Sequence, residues 1–349
     1  MISESLLKLA EAGDVEAQVK VAVQSYRGVE LLHGKRLGVE IENALRWFKI
    51  AAEKDHKIAL YYLGRMHEQG EGVSRDLDKS LNYYVRSSDA GFGPASVHLG
   101  FFYDRGEIVK RDLNTAFEYF LTAINQGETK ANYYIGKYLL YGQTSIERNI
   151  EEGMRHFEVA ADEGFALAQY ELGMLHIDGF KVLQNYERGI YWLTEAAKND
   201  YQRAHVKLAH HYYNGVGVSV DKKIAYSYWR RAAEPLNGSR PSTEALLNCG
   251  VCHFNGMGSD DDDYWAEVYF LKAAKLRVTQ AQYSLAVLYK RKSLRVESHA
   301  WFNIASVSGH EQSIAERSNL EKEMSNSQIA EAQKLAEGIL NNDLKNNGG

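Results

Sequence analysis

The sequence predicts an all-α fold, a right-handed α-solenoid superhelix of about eight helix-turn-helix repeats with capping helices at both ends. Small residues recur at steps of 36 to 42 residues, glycines follow them at a fixed distance, and only 3 prolines occur in 349 residues. Because proline interrupts helices, its scarcity favours a largely helical chain. Recurrence at this period indicates stacked units, each burying its apolar face against its neighbours.

The first helix of each repeat is marked by three small positions. An alanine comes first, another small residue follows five positions later, and a glycine follows eleven positions after the alanine in seven of eight copies. The alanines are Ala17, Ala59, Ala95, Ala131, Ala168, Ala204, Ala245 and Ala281. The second position predicts close approach of another helix, and the glycine predicts a left-handed turn that ends the first helix. Lys292 breaks the glycine pattern in the last copy.

The second helix of each repeat places a bulky pair one turn before small residues, as in Trp47 and Phe48 before Ala51 and Ala52. This alternation predicts bulky side chains that fit into shallow holes on neighbouring helices. The turn into the next repeat is predicted at glycine, or at aspartate where that residue tolerates a left-handed conformation. These positions are Gly13, Asp55, Gly91, Gly127, Gly164 and Asp200.

The pattern divides the chain into four predicted segments. They are an N-terminal capping helix at 1–13, eight repeats at 14–310, C-terminal capping helices at 311–340 and a flexible tail at 341–349. Two insertions lengthen the repeat step, one within 28–42 and one at 234–243, where Pro235, Gly238 and Pro241 cluster. The second insertion is predicted to be a surface loop, with a hinge as the alternative.

Once these positions are aligned, residues 10 to 310 resemble the Sel-one-like repeat family, relatives of the tetratricopeptide repeats. The matching motif positions are Ala168, Gln169, Leu172, Gly173 and Gly179, together with Gly70, Gly72, Val73 and Asp76. Tetratricopeptide repeats themselves have a period of about 34 residues and usually end with proline. The repeats of this chain match neither feature. The resemblance implies a curved superhelix with its first helices on the concave side. It also implies a bacterial protein that acts as a scaffold, adaptor or toxin-immunity protein.

Composition argues against several classes of partner. The formal charge of -5 offers no general attraction to nucleic acid or anionic membranes. No stretch approaches the roughly 18 apolar residues of a membrane span, and the first residues lack the basic and apolar pattern of a secretion signal. The chain is therefore predicted to be cytoplasmic, without nucleic acid or membrane as a partner.

Residues Cys249 to His253 satisfy C-x-x-C-H, the spacing of c-type haem attachment. In the repeat alignment, however, Cys249 stands where other copies have leucine, and His253 occupies a recurrent aromatic position shared with His67 and Tyr103. Two buried structural cysteines are predicted, and no cofactor. The acidic run 260–263 lacks the glycine and glutamate of a calcium loop, so it is predicted to be a solvated turn. No metal site is predicted.

The first helices are predicted to carry the binding surface, because a solenoid leaves their unstacked faces free. Offsets of two, six and nine residues from each alanine select aromatic, methionine and cationic side chains, types enriched in protein interfaces. The candidates are Tyr61, Arg65, Phe101, Tyr133, Lys137, Tyr170, Met174, His210, Tyr213 and Phe254. The alternative at each tyrosine is that the ring only fills the core between repeats.

The predicted function is a non-catalytic adaptor or inhibitor that binds a partner protein, or an extended segment of one. None of the metalloprotease, serine hydrolase or phosphate-loop motifs occurs in the sequence. The alternative is a hydrolase of cell-wall or β-lactam substrates, since some Sel-one-like proteins have been described as β-lactamase-like. Those resemble cysteine-rich members with a disulfide in each repeat, and this chain has only 2 cysteines.

Overall fold

The computed structural model describes residues 2–28, 38–142, 147–236, 238–259 and 262–346. These residues form nineteen helices and no strand. The helices are α1 Glu4–Glu11, α2 Val15–Gly28, α3 Gly38–Ala52, α4 Lys57–Gln69, α5 Leu77–Asp89, α6 Gly93–Arg105, α7 Leu113–Asn125, α8 Ala131–Tyr141, α9 Ile150–Asp162, α10 Ala166–Asp178, α11 Tyr186–Lys198, α12 Gln202–Asn214, α13 Lys222–Ala233, α14 Thr243–Asn255, α15 Asp263–Lys275, α16 Thr279–Arg291, α17 Arg295–Val307, α18 Glu311–Glu321 and α19 Asn326–Asn346. None of them combines the length and the apolar composition needed to cross a membrane.

The chain divides into two compact units, unit 1 at Met1–Ala168 and unit 2 at Gln169–Gly349. In unit 1, α1 packs on α2, and the pairs α2/α3, α4/α5, α6/α7 and α8/α9 follow. The second helix of each of the first three pairs also packs on the first helix of the next. The core of unit 1 therefore runs from one helix pair to the next.

Unit 2 repeats this arrangement. Its helix α11 packs on α12, and the pairs α12/α13, α14/α15 and α16/α17 stack in order. The last second helix, α17, packs against both α18 and α19. Leu320, Ala332 and Ala336 of these two final helices are buried in the core of unit 2.

The small position five residues after each alanine forms a hole that a bulky side chain of the second helix fills. A β-carbon built at Gly100 would lie 2.7 Å from the ring of Phe120, and one at Gly250 would lie 2.4 Å from the ring of Phe270. Gly64, Gly136 and Gly173 meet Tyr84, Phe157 and Leu193 in the same way. The predicted fit of bulky against small residues therefore joins the two helices of one repeat.

The predicted turns are left-handed. The backbone φ is 53° at Asp55 and 56° at Asp200, and it is positive at the four glycines predicted beside them. The glycines predicted to end the first helices also have positive φ from Gly70 to Gly256. In the eighth pair, Lys292 keeps a φ of -79° and the next residue, Ser293, takes the left-handed conformation at 60°. Only Lys292 to Leu294 separate α16 from α17, so this repeat has lost the longer loop of the others.

The 234–243 insertion lies within unit 2 and is tied to the helices beside it. The amide of Ser242 donates to the carbonyl of Ala232 at 3.0 Å, and Gln202 Nε2 donates to the carbonyls of Ala232 and Arg240 at 2.9 and 2.8 Å. These hydrogen bonds support the surface-loop interpretation over the hinge. The other insertion falls mostly at 29–37, outside the described residues. At the end of the chain, α19 continues to Asn346, past residue 341 where the flexible tail was predicted to begin.

Candidate functional site

The first helices expose a face that is rotated slightly from the predicted one. Among the described side chains, those three, six and ten residues after each alanine are half-buried or exposed, whereas those at offset two are buried in four of the eight copies. In unit 1 this surface, called here the unit 1 face, consists of Tyr62, Arg65, His98, Phe101, Arg105, Tyr134 and Lys137. Contacts join its helices, since the ring centroids of Phe101 on α6 and Tyr134 on α8 lie 4.9 Å apart.

Eight of the ten predicted site residues keep some exposure. Lys137 is exposed, and the half-buried ones are Tyr61, Arg65, Phe101, Met174, His210, Tyr213 and Phe254. Tyr133 and Tyr170 are only 6% and 3% exposed, which corrects the prediction that their rings face a partner. Tyr133 packs against Phe157 and Phe165, with ring centroids 5.6 and 5.4 Å away, so it fills the core as the alternative proposed.

Tyr62, His98 and Tyr134, which lie at offset three, were not among the predicted site residues. The signal that could have identified them is the spacing of three, four and seven residues that offsets three, six and ten share on a helix. Offsets two, six and nine have the same spacing, so periodicity alone could not distinguish the two stripes. Burial of the offset-two rings of Tyr133 and Tyr170 against Phe165 and Tyr201 decides between them, and these contacts are tertiary.

Acidic side chains near the unit 1 face are held by tyrosine hydroxyls. Tyr84 donates to Glu68 Oε2 at 2.7 Å, and Tyr138 donates to Asp104 Oδ1 at 2.6 Å. His98 lies between Glu68 and Tyr61, with its Nε2 3.3 Å from the Tyr61 hydroxyl. Burial lowers the pKa of the His98 imidazole, so its neutral form is favoured. The network holds the first helices α4 and α6 side by side.

In unit 2 the predicted site residues His210, Tyr213 and Phe254 each contact a side chain from another helix or loop. His210 Nε2 lies 2.6 Å from Glu244 Oε1, joining α12 to α14. The Tyr213 hydroxyl donates to the sulfur of Met257 at 3.6 Å. The guanidinium of Arg291 lies 3.9 Å from the ring centroid of Phe254 and forms an ion pair with Asp263. Of the predicted site residues, Met174, His210, Tyr213 and Phe254 are half-buried on this surface.

The C-x-x-C-H segment occupies the positions that the repeat alignment predicted. Cys249 and Cys252 are free thiols, 0% and 1% exposed, in the core of unit 2. His253 stacks on Tyr269 with centroids 5.8 Å apart, just as His67 stacks on Tyr83 at 5.6 Å in another repeat. Its Nε2 lies 2.9 Å from the Tyr226 hydroxyl. Packing therefore accounts for all three residues.

The two thiols are expected to resist modification in the folded protein. Burial raises the pKa of Cys252 to about 11 and raises that of Cys249 further, so almost no reactive thiolate forms near neutral pH. With a thiol-reactive disulfide reagent at pH 8, the native protein should react slowly, and the protein unfolded in guanidinium should react at both cysteines. Fast reaction of the native protein, or a haem absorbance band in the purified protein, would contradict this assignment.

The described part of the acidic run has a structural role. Asp262 accepts hydrogen bonds from the amides of Tyr264 and Trp265 at 2.8 and 3.4 Å, so it caps the N-terminus of α15. Asp76 and Asp112 cap α5 and α7 in the same register. Asp260 and Asp261 lie outside the described residues. Among the residues that the structure does describe, no three His, Cys, Asp or Glu side chains are grouped to hold a metal ion.

A model of the Sel1 repeat family matches seven segments, at residues 15–56, 57–92, 94–128, 129–165, 166–201, 202–234 and 243–277. A Sel1 repeat protein from Oxalobacter formigenes has a TM-score of 0.61 and 24% identity, over 91% of this chain and 90% of that one. A protective antigen with an SLR fold, present in uropathogenic Escherichia coli strains, has a TM-score of 0.54 and 23% identity, over 96% and 78%. These matches and the stacked helix pairs confirm the predicted all-α repeat solenoid.

Proposed function

Because the chain belongs to the Sel1 repeat family, we propose that it is a non-catalytic scaffold that binds a partner protein, or an extended segment of one, on the exposed faces of its first helices. The observation that carries this proposal is a row of partly exposed aromatic side chains, Tyr62 on α4, Phe101 on α6 and Tyr134 on α8. Aromatic rings supply contact area at low cost in conformational entropy, which suits them to protein interfaces.

A helical repeat array supports this role because each first helix is anchored by its own second helix. Phe120, for example, packs against Gly100 and holds α7 on α6, and its ring also supports Phe101 and Tyr134 of the unit 1 face, with centroids 5.6 and 4.8 Å away. The face is thus built on rigid elements, and a partner that binds there need not reorder the scaffold. Its role in the cell is proposed to be that of an adaptor or inhibitor.

Chemistry near the faces supports binding over catalysis. His98 contacts a tyrosine hydroxyl and lies near a carboxylate, and no serine or cysteine is bonded to it among the described residues. Both cysteines are buried with raised pKa values, which makes them poor nucleophiles. Turnover of a cell-wall or β-lactam reporter by the purified protein, lost in His98→Ala, would instead support the hydrolase alternative.

The test is to capture partners with the tagged full-length protein and to compare two alanine variants. Phe101→Ala removes a half-buried ring from the unit 1 face, whereas Tyr191→Ala removes a ring that is 55% exposed on the second helix α11. The first should weaken a captured partner by more than about 1 kcal/mol, and the second should leave it unchanged. Equal binding by both variants, with helical content and melting temperature preserved, would contradict the proposed surface.

A further inference from the structure

We infer that the unit 1 face recognises an extended acidic segment of the partner, whose carboxylates pair with Arg65, Arg105 and Lys137. This inference rests on the proposed function and specifies the chemistry of the partner. It starts from a row of cations that three successive first helices carry, α4, α6 and α8.

Each cation of the row lies near an aromatic ring, either Phe101 of the same face or the buried Tyr26 and Tyr133. The Arg65 guanidinium carbon is 5.9 Å from the centroid of Tyr26, that of Arg105 is 5.3 Å from Phe101, and Lys137 Nζ is 5.8 Å from Tyr133. A cation over a ring face is held in place electrostatically without losing its hydrogen-bond donors. The rings therefore position the three charges and leave their N–H groups available.

The cations have few acceptors within the chain. Across the described residues, Arg65 and Lys137 form neither a hydrogen bond nor an ion pair, and Arg105 has one weak ion pair, 3.7 Å from Glu107 at an exposed position. Arg65 is half-buried beside the rings of Tyr26, Tyr61 and Tyr84. A half-buried guanidinium carries five N–H donors in a planar fork, and a carboxylate is the acceptor that matches this fork.

The nearby acids do not meet this need. Glu68 accepts from the Tyr84 hydroxyl, and Asp104 accepts from the Tyr138 hydroxyl. In unit 2, by contrast, Arg291 on the first helix α16 already pairs with Asp263. The three cations of unit 1 therefore keep hydrogen-bond donors available, and an acidic segment would complement them.

A peptide fits this row better than a nucleic acid. Glu68 lies three residues after Arg65 on α4, and Asp104 directly precedes Arg105 on α6, so both carboxylates would repel a continuous phosphate backbone. Packed helices lie about 8–10 Å apart, and an extended peptide advances about 3.3 Å per residue. A carboxylate at roughly every third residue would therefore meet the cations of successive first helices.

The test uses a fluorescein-labelled peptide of about twelve residues, with Glu at every third position and Ala, Ser or Gly elsewhere, and its Gln counterpart. Binding to the full-length protein is measured by fluorescence anisotropy at low and moderate salt. The Glu peptide should bind at least about tenfold more tightly than the Gln peptide, and its affinity should fall as salt rises. Arg65→Gln combined with Lys137→Gln should reduce the affinity by at least about tenfold.

The matched control is Arg46→Gln. Arg46 is an exposed cation 5.3 Å from the ring centroid of Trp47, the same kind of pair placed on the second helix α3. This variant should bind the Glu peptide as the unmodified protein does. Lack of binding, equal binding of the two peptides, an equal loss in Arg46→Gln, or tighter binding of a thymidine oligonucleotide to the same face would each overturn the inference. A captured partner lost in Phe101→Ala but retained by the double variant would overturn it while leaving the proposed function intact.

Discussion

Phe120→Ala is expected to lower the free energy of unfolding of unit 1 by about 3–5 kcal/mol. The Phe120 side chain is 1% exposed, and its ring stacks on Tyr134 with centroids 4.8 Å apart. It also faces Gly100, where no side chain can move in to fill the space. Truncation would leave a cavity that joins α6, α7 and α8, three consecutive helices of the array.

Urea denaturation followed by circular dichroism measures this loss, and hydrogen exchange of peptides from α6 to α8 localises it. The control is Phe180→Ala, because Phe180 is 50% exposed and its removal should cost far less. Equal stability of the Phe120 variant and the unmodified protein would show that the ring does not hold α7 on α6.

Gly250→Ala is expected to lower the stability of unit 2 by about 1–3 kcal/mol, although alanine is the better helix former. The added β-carbon would lie 2.4 and 2.5 Å from two ring carbons of Phe270, which is itself 1% exposed and cannot swing into solvent. The two helices of this repeat, α14 and α15, would have to separate. Thermal and urea unfolding of the variant measure the effect.

The matched control for this prediction is Gly338→Ala. Gly338 also lies within a helix, α19, but nothing lies within 4 Å of an added β-carbon there. This substitution should therefore stabilise the protein by about 0.5–1 kcal/mol through helix propensity alone. If the same substitution lowers the free energy of unfolding at Gly250 and raises it at Gly338, the effect of packing is separated from the effect of helix propensity. A stabilising effect at Gly250 would contradict the close approach of its helix pair.

Much of the fold could be predicted because the repeat converts local rules into a recurrent pattern. Asp55 and Asp200 illustrate this, since alignment with glycines predicted their left-handed backbone before any contact was known. Cys249 and Cys252 were placed in the core by the same alignment. The period of the small residues carries this information because each copy repeats the same packing.

The candidate site was predicted less well, because exposure depends on neighbours that no local pattern specifies. Tyr133 and Phe101 looked equivalent as aromatic residues of one stripe, yet Tyr133 is covered by Phe165 from the start of the next repeat. The pairing of the Glu68 carboxylate with Tyr84, 16 residues along the chain, was equally invisible. That Arg65 has no carboxylate partner among the described residues can be seen only once the tertiary contacts of the nearby acidic side chains are known. The sequence also has no cluster of proline and glycine at the boundary between the two units, residues 168 and 169, comparable to Pro235 and Gly238.

Hydrogen exchange of the full-length protein, alone and bound to its captured partner, tests most directly whether the first helices form the binding surface. Peptides from α4, α6 and α8 should exchange more slowly in the complex, while peptides from α5, α7 and α9 should exchange as they do in the free protein. Protection confined to the second helices, with the first helices unchanged, would show that the partner does not bind the first-helix faces.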